Sequence, residues 1–210
     1  SPVGSNNANF SAEIMGGDFG GAFTITMSDI SNGIAIGQGT IDSMQFSASG
    51  TIIGSGGGDS ASVVSTTQAG DTQTLVFKMG ESDGQEDDLK IKEGAGKTFV
   101  TVHHFETGTD KISYDGNSSN LANQTMNVTA AASLIADALG LSSDPSVSDV
   151  TLGGSASLVG SAVWIYNGDS YYLGGDLSAG TAGAFGDNEI IFRFVGITDF
   201  GTSSGDMTDT

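Results

Sequence analysis

Residues 72–105 read TQTLVFKMGESDGQEDDLKIKEGAGKTFVTVHHF, and the fold class turns on this stretch. Thr74 to Met79 has the composition of a strand. Leu89 and Ile91 alternate with Lys90 and Lys92, the two-residue period of a strand with one buried face. Thr98 to Phe105 is dense in β-branched and aromatic residues, which pack well on a pleated surface. An acidic loop, Glu81-Ser82-Asp83-Gly84-Gln85-Glu86-Asp87-Asp88, separates the first two segments. Strands of this kind between acidic and Gly-rich turns predict packed β-sheets.

The flanking sequence agrees. Phe23, Ile25 and Met27 alternate with Thr24, Thr26 and Ser28. Ile34 with Ile36, then Ile41, Met44 and Phe46, then Ile52 with Ile53 suggest further short strands. Asn32-Gly33 is a tight-turn signal, and the Gly/Ser run from Gly54 to Ser60 predicts a flexible loop. Ala162 to Tyr166, the turn Asn167-Gly168-Asp169, and Tyr171 to Leu173 read as a hairpin. Glu189 to Ile197 is the last and most apolar strand, and the polar tail from Gly201 reads as loose. Ala131, Leu134, Ile135, Ala138 and Leu139 have helical spacing. Asn127 or Thr129 can cap the start of that helix and Gly140 can end it. The expected fold is mainly β: β-sandwich-like packed sheets with one short α-helix over about 129–140. The chain divides into a Gly/Ser/Thr-rich β segment, 1–70, and a β-rich region, 71–210, or forms one continuous domain. No clean fixed-period repeat is apparent.

The 210 residues include 25 Asp and Glu against 6 Lys and Arg, a formal charge of −19. Such a chain is repelled by phosphate backbones and anionic lipid, which argues against nucleic-acid and membrane-surface binding. No run of about 18 apolar residues suits a membrane-spanning helix. Cysteine is absent, which excludes disulfides, thiolate metal sites and cysteine nucleophiles. Ser1-Pro2-Val3-Gly4-Ser5 lacks the basic-then-apolar pattern of a classical signal peptide.

Two motifs invite a catalytic reading and fail on context. Gly94-Ala95-Gly96-Lys97-Thr98 looks like the end of a phosphate-binding loop, but a strand follows where a helix is needed. It reads as a hairpin turn. Gly201-Thr202-Ser203-Ser204-Gly205 matches a nucleophile-elbow pattern, yet no His follows it. His103 and His104 are the only histidines, and adjacent strand residues face opposite sides. With no catalytic constellation, the chain is not expected to be an enzyme.

The acidic loop points to calcium, which takes six to eight oxygens in flexible geometry. Glu81, Asp83, Glu86, Asp87 and Asp88 place five carboxylates within eight residues. The spacing does not fit an EF-hand, and a solvated acidic turn is the competing reading. Asp110 with Asp115, and Asp187 with Glu189, are further candidate calcium turns. Asn167 with Asp169 is another acidic turn.

From about Asp71 the chain resembles the C-terminal regions of RTX-group bacterial proteins, exported by type I secretion, among them surface-layer and extracellular-matrix proteins. The residues that carry this are Gly70-Asp71-Thr72 before Leu75-Val76-Phe77, and Val102 to Ile112. The latter is similar to that group's DF-x-x-G-x-D-K-I segment, with His104 where Asp is usual. Ala162 to Leu173, Gly186 to Ile191 and Val195 to Asp199 are similar to the closing hairpin of surface-layer C-termini. The resemblance implies type I export, an extracellular or cell-surface location and dependence on calcium. The nonapeptide Gly-Gly-x-Gly-x-Asp array of the group is missing. Gly56-Gly57-Gly58-Asp59 is at best a remnant, so a calcium β-roll is not expected.

The leading expectation is a structural subunit that self-assembles with copies of itself into a surface layer, filament or matrix, with calcium at its joints. Asn6 to Ile14, with Phe10 and Ile14 as anchors, is the candidate assembly strand; it reads equally as the first strand of its own domain. A haemophore is the first alternative, with His103 or His104 and Tyr114 as iron ligands. An adhesin or carbohydrate-binding module is the second.

Overall fold

The computed structural model describes residues 10–13, 23–26, 39–46, 49–54, 56–80, 84–92, 94–115, 127–153, 163–175, 187, 189–200 and 207–209. In chain order the elements begin β1 (Phe10–Glu13), β2 (Phe23–Thr26), β3 (Gly39–Phe46), β4 (Gly50–Ile53), β5 (Ser60–Ser65), β6 (Thr72–Lys78), β7 (Asp88–Lys92), β8 (Lys97–His103) and β9 (Lys111–Asp115). After these come α1 (Val128–Leu139), β10 (Val150–Leu152), β11 (Val163–Tyr166), β12 (Asp169–Gly175), β13 (Glu189–Phe194) and β14 (Met207–Asp209). Among the described residues the protein is mainly β with one short helix, as the sequence predicts.

The connectivity is a two-sheet parallel coil. One sheet has the order β1-β3-β5-β7-β9-β14; the other has β10-β11-β12-β13-β8-β6-β4-β2. Through β9, successive strands go to alternate sheets, so each turn of chain adds one parallel rung to both. The chain then leaves the coil through α1 and the antiparallel strands β10 to β12. It returns with β13 parallel to β8 and β14 parallel to β9. Both sheets run on across residues 70 and 71.

Side chains stack in columns inside the coil. Leu75, Val100 and Phe192 are in register, as are Phe77, Val102 and Phe194. The other sheet answers with Ala61, Leu89 and Ile112, and with Val63, Ile91 and Tyr114. All are buried in one core. Alternate residues of β8 and β13 point outward, where Phe99 and Ile191 meet a second core of Trp164, Tyr171, Val150 and Ala131, Leu134 and Ile135 of the helix. The helix begins at Asn127, whose Oδ1 accepts from the Ala130 N–H at 2.9 Å, and ends at Gly140 with φ 65°. Asn167 (φ 53°) and Gly168 (φ 83°) make the tight turn between β11 and β12, the predicted hairpin.

Three local expectations are corrected. Gly94 to Thr98 is not a hairpin turn: it is a corner that carries the chain from β7 in one sheet to β8 in the other. Gly56 to Ser60, the described part of the Gly54–Ser60 stretch that leads into β5, is a packed corner, because a Cβ at Gly58 would lie 2.7 Å from Glu86 O of the next rung. The tail is not all loose, since Met207 to Asp209 forms β14 beside β9. Asn32-Gly33, Ile34 and Ile36 lie outside the described residues, as do Gly201 to Gly205.

Candidate functional site

The chemistry of this coil concentrates at the corner that leads into β5, β7 and β9. Ser60, Asp88 and Lys111 lie in register, so the residues before them, Asp59, Asp87 and Asp110, occupy one corner position on consecutive rungs. Each is only 1–2% exposed. The carboxyl groups form a ladder through the backbone. The Asp59 N–H donates to Asp87 Oδ1 at 2.7 Å, and the Asp87 N–H donates to Asp110 Oδ1 at 3.0 Å. The second oxygen of each closes its own corner: Gly80 N–H donates to Asp87 Oδ2 at 2.8 Å, and Glu106 N–H to Asp110 Oδ2 at 2.6 Å. Corner N–H groups with no strand partner thus find a built-in acceptor.

Burial pushes the Asp87 carboxyl up to about 7, against the Asp59 and Gly80 N–H groups that favour its charged form; the Asp110 and Asp59 charges add to the rise. Asp88 is also raised, chiefly by burial, with Lys90 opposing. Its Oδ2 lies 3.6 Å from Lys90 Nζ, while Oδ1 is buried without a hydrogen-bond partner. Glu86 sits outside the ladder, 2.5 Å from Lys111 Nζ, with both side chains exposed to water.

The expected calcium residues therefore have different fates. Asp87 and Asp110 face backbone amides within the corner. Glu86 and Asp88 are engaged with lysines. Asp187 is exposed and its Oδ1 accepts from the Gly70 N–H at 2.9 Å, and Glu189 is 8% exposed at the start of β13. Asp115 ends β9 beside Lys92, its side chain undescribed; Glu81 and Asp83 lie outside the described residues. Among the described residues no three His, Asp or Glu side chains gather into a metal-holding group. Of the assembly pair, Phe10 begins β1, which lies parallel to β3 of its own chain, and Ile14 falls outside the described residues.

The candidate iron ligands have different surroundings. Tyr114 is 2% exposed inside the coil, edge-on to Phe192 at 6.2 Å. His103 ends β8 with its pKa lowered, first by burial and then by the Lys78 charge. His104, at φ 61°, turns the chain, its Nδ1 3.4 Å from Met79 O. The two imidazoles lie edge-on, 6.3 Å between centroids.

The Gly94-Ala95-Gly96-Lys97 corner has no room for phosphate. Ala95 and Gly96 N–H both donate to Thr67 O, and Lys97 N–H to Asp71 O. Beside it, Ser65, Thr67 and Gln73 form a buried knot, with Ser65 Oγ 2.6 Å from Gln73 Oε1. Arg193 grips one carboxylate oxygen of Asp169, with Nε at 2.8 Å and Nη2 at 2.6 Å from Oδ2, and this pair locks the β11–β12 hairpin onto β13.

Sequence reasoning singled out Asp87 and Asp110 but not their shared corner position, and left Asp59 in a remnant motif. A usable signal was present: Asp59-Ser-Ala-Ser-Val, Asp87-Asp-Leu-Lys-Ile and Asp110-Lys-Ile-Ser-Tyr share Asp followed by apolar residues at the second and fourth places after it. No family model, no curated protein and no solved structure matches the chain.

Proposed function

We propose that this protein is a secreted structural subunit that assembles with copies of itself by extending its parallel coil. The observation that carries the reading is the edge at the N-terminal end of the coil. Among the described residues β1 pairs only with β3, and β2 only with β4, so both sheets end there on a strand paired on one side. An edge strand with a free row of N–H and C=O groups is a template for another chain. A coil whose every rung already joins the next by parallel pairing is suited to growth by the same bonds. An extracellular location and type I export are supported by the resemblance of residues 71–199 to RTX-group C-termini. Calcium enters as a cation that screens or bridges a chain of charge −19 between copies.

Electron microscopy and light scattering with calcium and with chelator test the reading. Along a strand, successive N–H groups point to opposite sides, so one of Ser11 and Ala12 directs its N–H away from β3. Ser11→Pro or Ala12→Pro should then give a folded chain that no longer polymerises. Wild-type protein that stays monomeric in both conditions, or polymers unaffected by either proline, would overturn it.

A further inference from the structure

The outer face of the eight-stranded sheet gathers cations at one place. Lys78 and His103 are register partners on β6 and β8, and Arg193 lies one strand further, on β13. His104 follows His103 at the corner and is exposed. The His103 pKa is lowered first by burial and then by the Lys78, His104 and Arg193 charges, so the four groups lie within reach of one another. Asp169, an acid beside them, is gripped by Arg193. Elsewhere lysines sit by acids: Lys90 by Asp88, Lys111 by Glu86, and Lys92 in register with Asp115. Ile53, in register with Lys78, and Val76 add half-buried apolar surface on the same face. A cationic and apolar surface thus stands out from a chain of charge −19.

Its complement lies elsewhere on the same chain. Leu141, Val147 and Leu152 are 42%, 52% and 63% exposed, and they are the exposed large apolar side chains among the described residues. Scattered exposed apolar residues are ordinary; three gathered in one segment mark a contact surface. Asp137, Asp144 and Asp149 are exposed beside them, and no Lys or Arg occurs from Ile112 to Phe192. The segment is held in shape. Ser133 Oγ donates to Asp144 Oδ2, the Leu141 N–H to Ala136 O at 2.9 Å, and the Asp149 N–H to Ser146 O at 2.8 Å. Leu152 on β10 and Lys78 on β6 stand five strands apart in one sheet, about 24 Å, so one chain does not join its own two surfaces.

We propose that the Leu141–Leu152 segment of one copy docks on the Lys78–His103–Arg193 corner of a second copy, its carboxylates on the cations and its apolar side chains on Ile53 and Val76. This contact rests on the self-assembly reading and adds a lateral joint to the strand edge. Two different surfaces meet, so the contact is heterologous and repeats from copy to copy. Opposite charge orients copies that otherwise repel one another.

Sedimentation velocity of the full chain carrying both Ser11→Pro and Ala12→Pro, in chelator, isolates the lateral contact from strand-edge growth and from calcium. This parent should self-associate at low salt. Raising salt from about 0.1 M to about 1 M shortens the screening length from about 10 Å to about 3 Å and should weaken the association. Lys78→Glu spoils the cationic half, and Val147→Asp with Leu152→Asp spoils the apolar half; either should weaken self-association by more than about tenfold. Mixed, the two variants should form one-to-one pairs as tight as the parent's, because each keeps the half that the other lacks. Urea unfolding checks that both fold, and Lys78→Gln replaces Lys78→Glu if the latter does not. A monomeric parent, variants that associate like the parent, or a mixture no tighter than its components would overturn the contact. So would a monomeric parent that binds polyglutamate through Lys78, since the occupant would then be a different acidic chain. Wild-type polymers indifferent to both prolines would instead overturn the strand-edge reading.

Discussion

Gly96→Ala puts the coil's corner packing to a test in which two readings of the same motif give opposite signs. If Gly96 belonged to an open turn or a phosphate loop, an added methyl would meet space. Alanine would then stabilise by about 0.4–1 kcal/mol by restricting the unfolded chain. In the coil, a Cβ at Gly96 would lie 2.3 Å from Gln68 O, 2.6 Å from Asp71 O and 2.6 Å from Thr67 Cγ2. Two of these atoms are backbone of the preceding corner, which the Lys97 N–H to Asp71 O bond holds against Gly96 at 2.9 Å. The rungs must separate to admit the methyl. Forced overpacking costs about 1–3 kcal/mol, and here it also stretches interstrand bonds, so a loss of about 3 kcal/mol is expected. For a chain of this size that lowers the melting temperature by roughly 6–12 °C. Gly70→Ala is the control: nothing lies within 4 Å of a Cβ there, and only its φ of 89° opposes alanine. Urea and thermal unfolding of the two variants decide. A Gly96→Ala protein within about 0.5 kcal/mol of wild type, or less affected than Gly70→Ala, would refute the stacked-corner geometry.

Two further substitutions probe the layer outside the coil. Arg193→Leu takes the arginine from the Asp169 carboxylate, 7% exposed, whose Oδ1 still accepts from the Gly196 N–H at 2.8 Å, while Asp169→Asn lets Arg193 turn to solvent. Arg193→Leu should therefore cost more, about 2 kcal/mol; this is below the fully buried range because the arginine side chain is 31% exposed. The reverse order in urea unfolding would contradict that account. Asn127→Ala removes the cap on the Ala130 N–H and should cost about 1 kcal/mol, read as a fall in melting temperature of roughly 2–4 °C.

Local structure was legible because it is written in short-range pattern. The helix, with Asn127 and Gly140 at its ends, and the Asn167-Gly168 hairpin each follow from a few adjacent residues. The coil was not legible because its rungs differ in length. Thr40 pairs with Ser60, Ser60 with Asp88 and Asp88 with Lys111, steps of 20, 28 and 23 residues. A search for one fixed period finds nothing in that series. Strands that neighbour one another in sequence also lie in different sheets, so a Gly-rich connection such as Gly94 to Gly96 looks like a hairpin while serving as a corner. The aspartate ladder was hidden for a related reason. Carboxylate density in sequence says nothing of register, whereas in the coil Asp87 and Asp110 meet N–H groups of neighbouring rungs and corners.

One feature of the sequence did carry long-range information. Glu189-Ile190-Ile191-Phe192-Arg193-Phe194 is the most apolar strand because it is covered on both faces. Ile190, Phe192 and Phe194 point into the coil, and Ile191 points outward under α1 and the β11–β12 hairpin. A half-buried strand alternates, as Leu89 and Ile91 do against Lys90 and Lys92; a strand buried twice loses the alternation. β8 shows the same break, with Phe99 outward between Thr98 and Val100. These are the two strands on which the third layer rests. Loss of alternation in neighbouring strands therefore marks where the helix must lie, and it explains why the chain leaves the coil after β9 and re-enters through β13. The departing segment supplies the cover that Phe99 needs, and the returning strand supplies both the next rung and the rest of the surface beneath the helix.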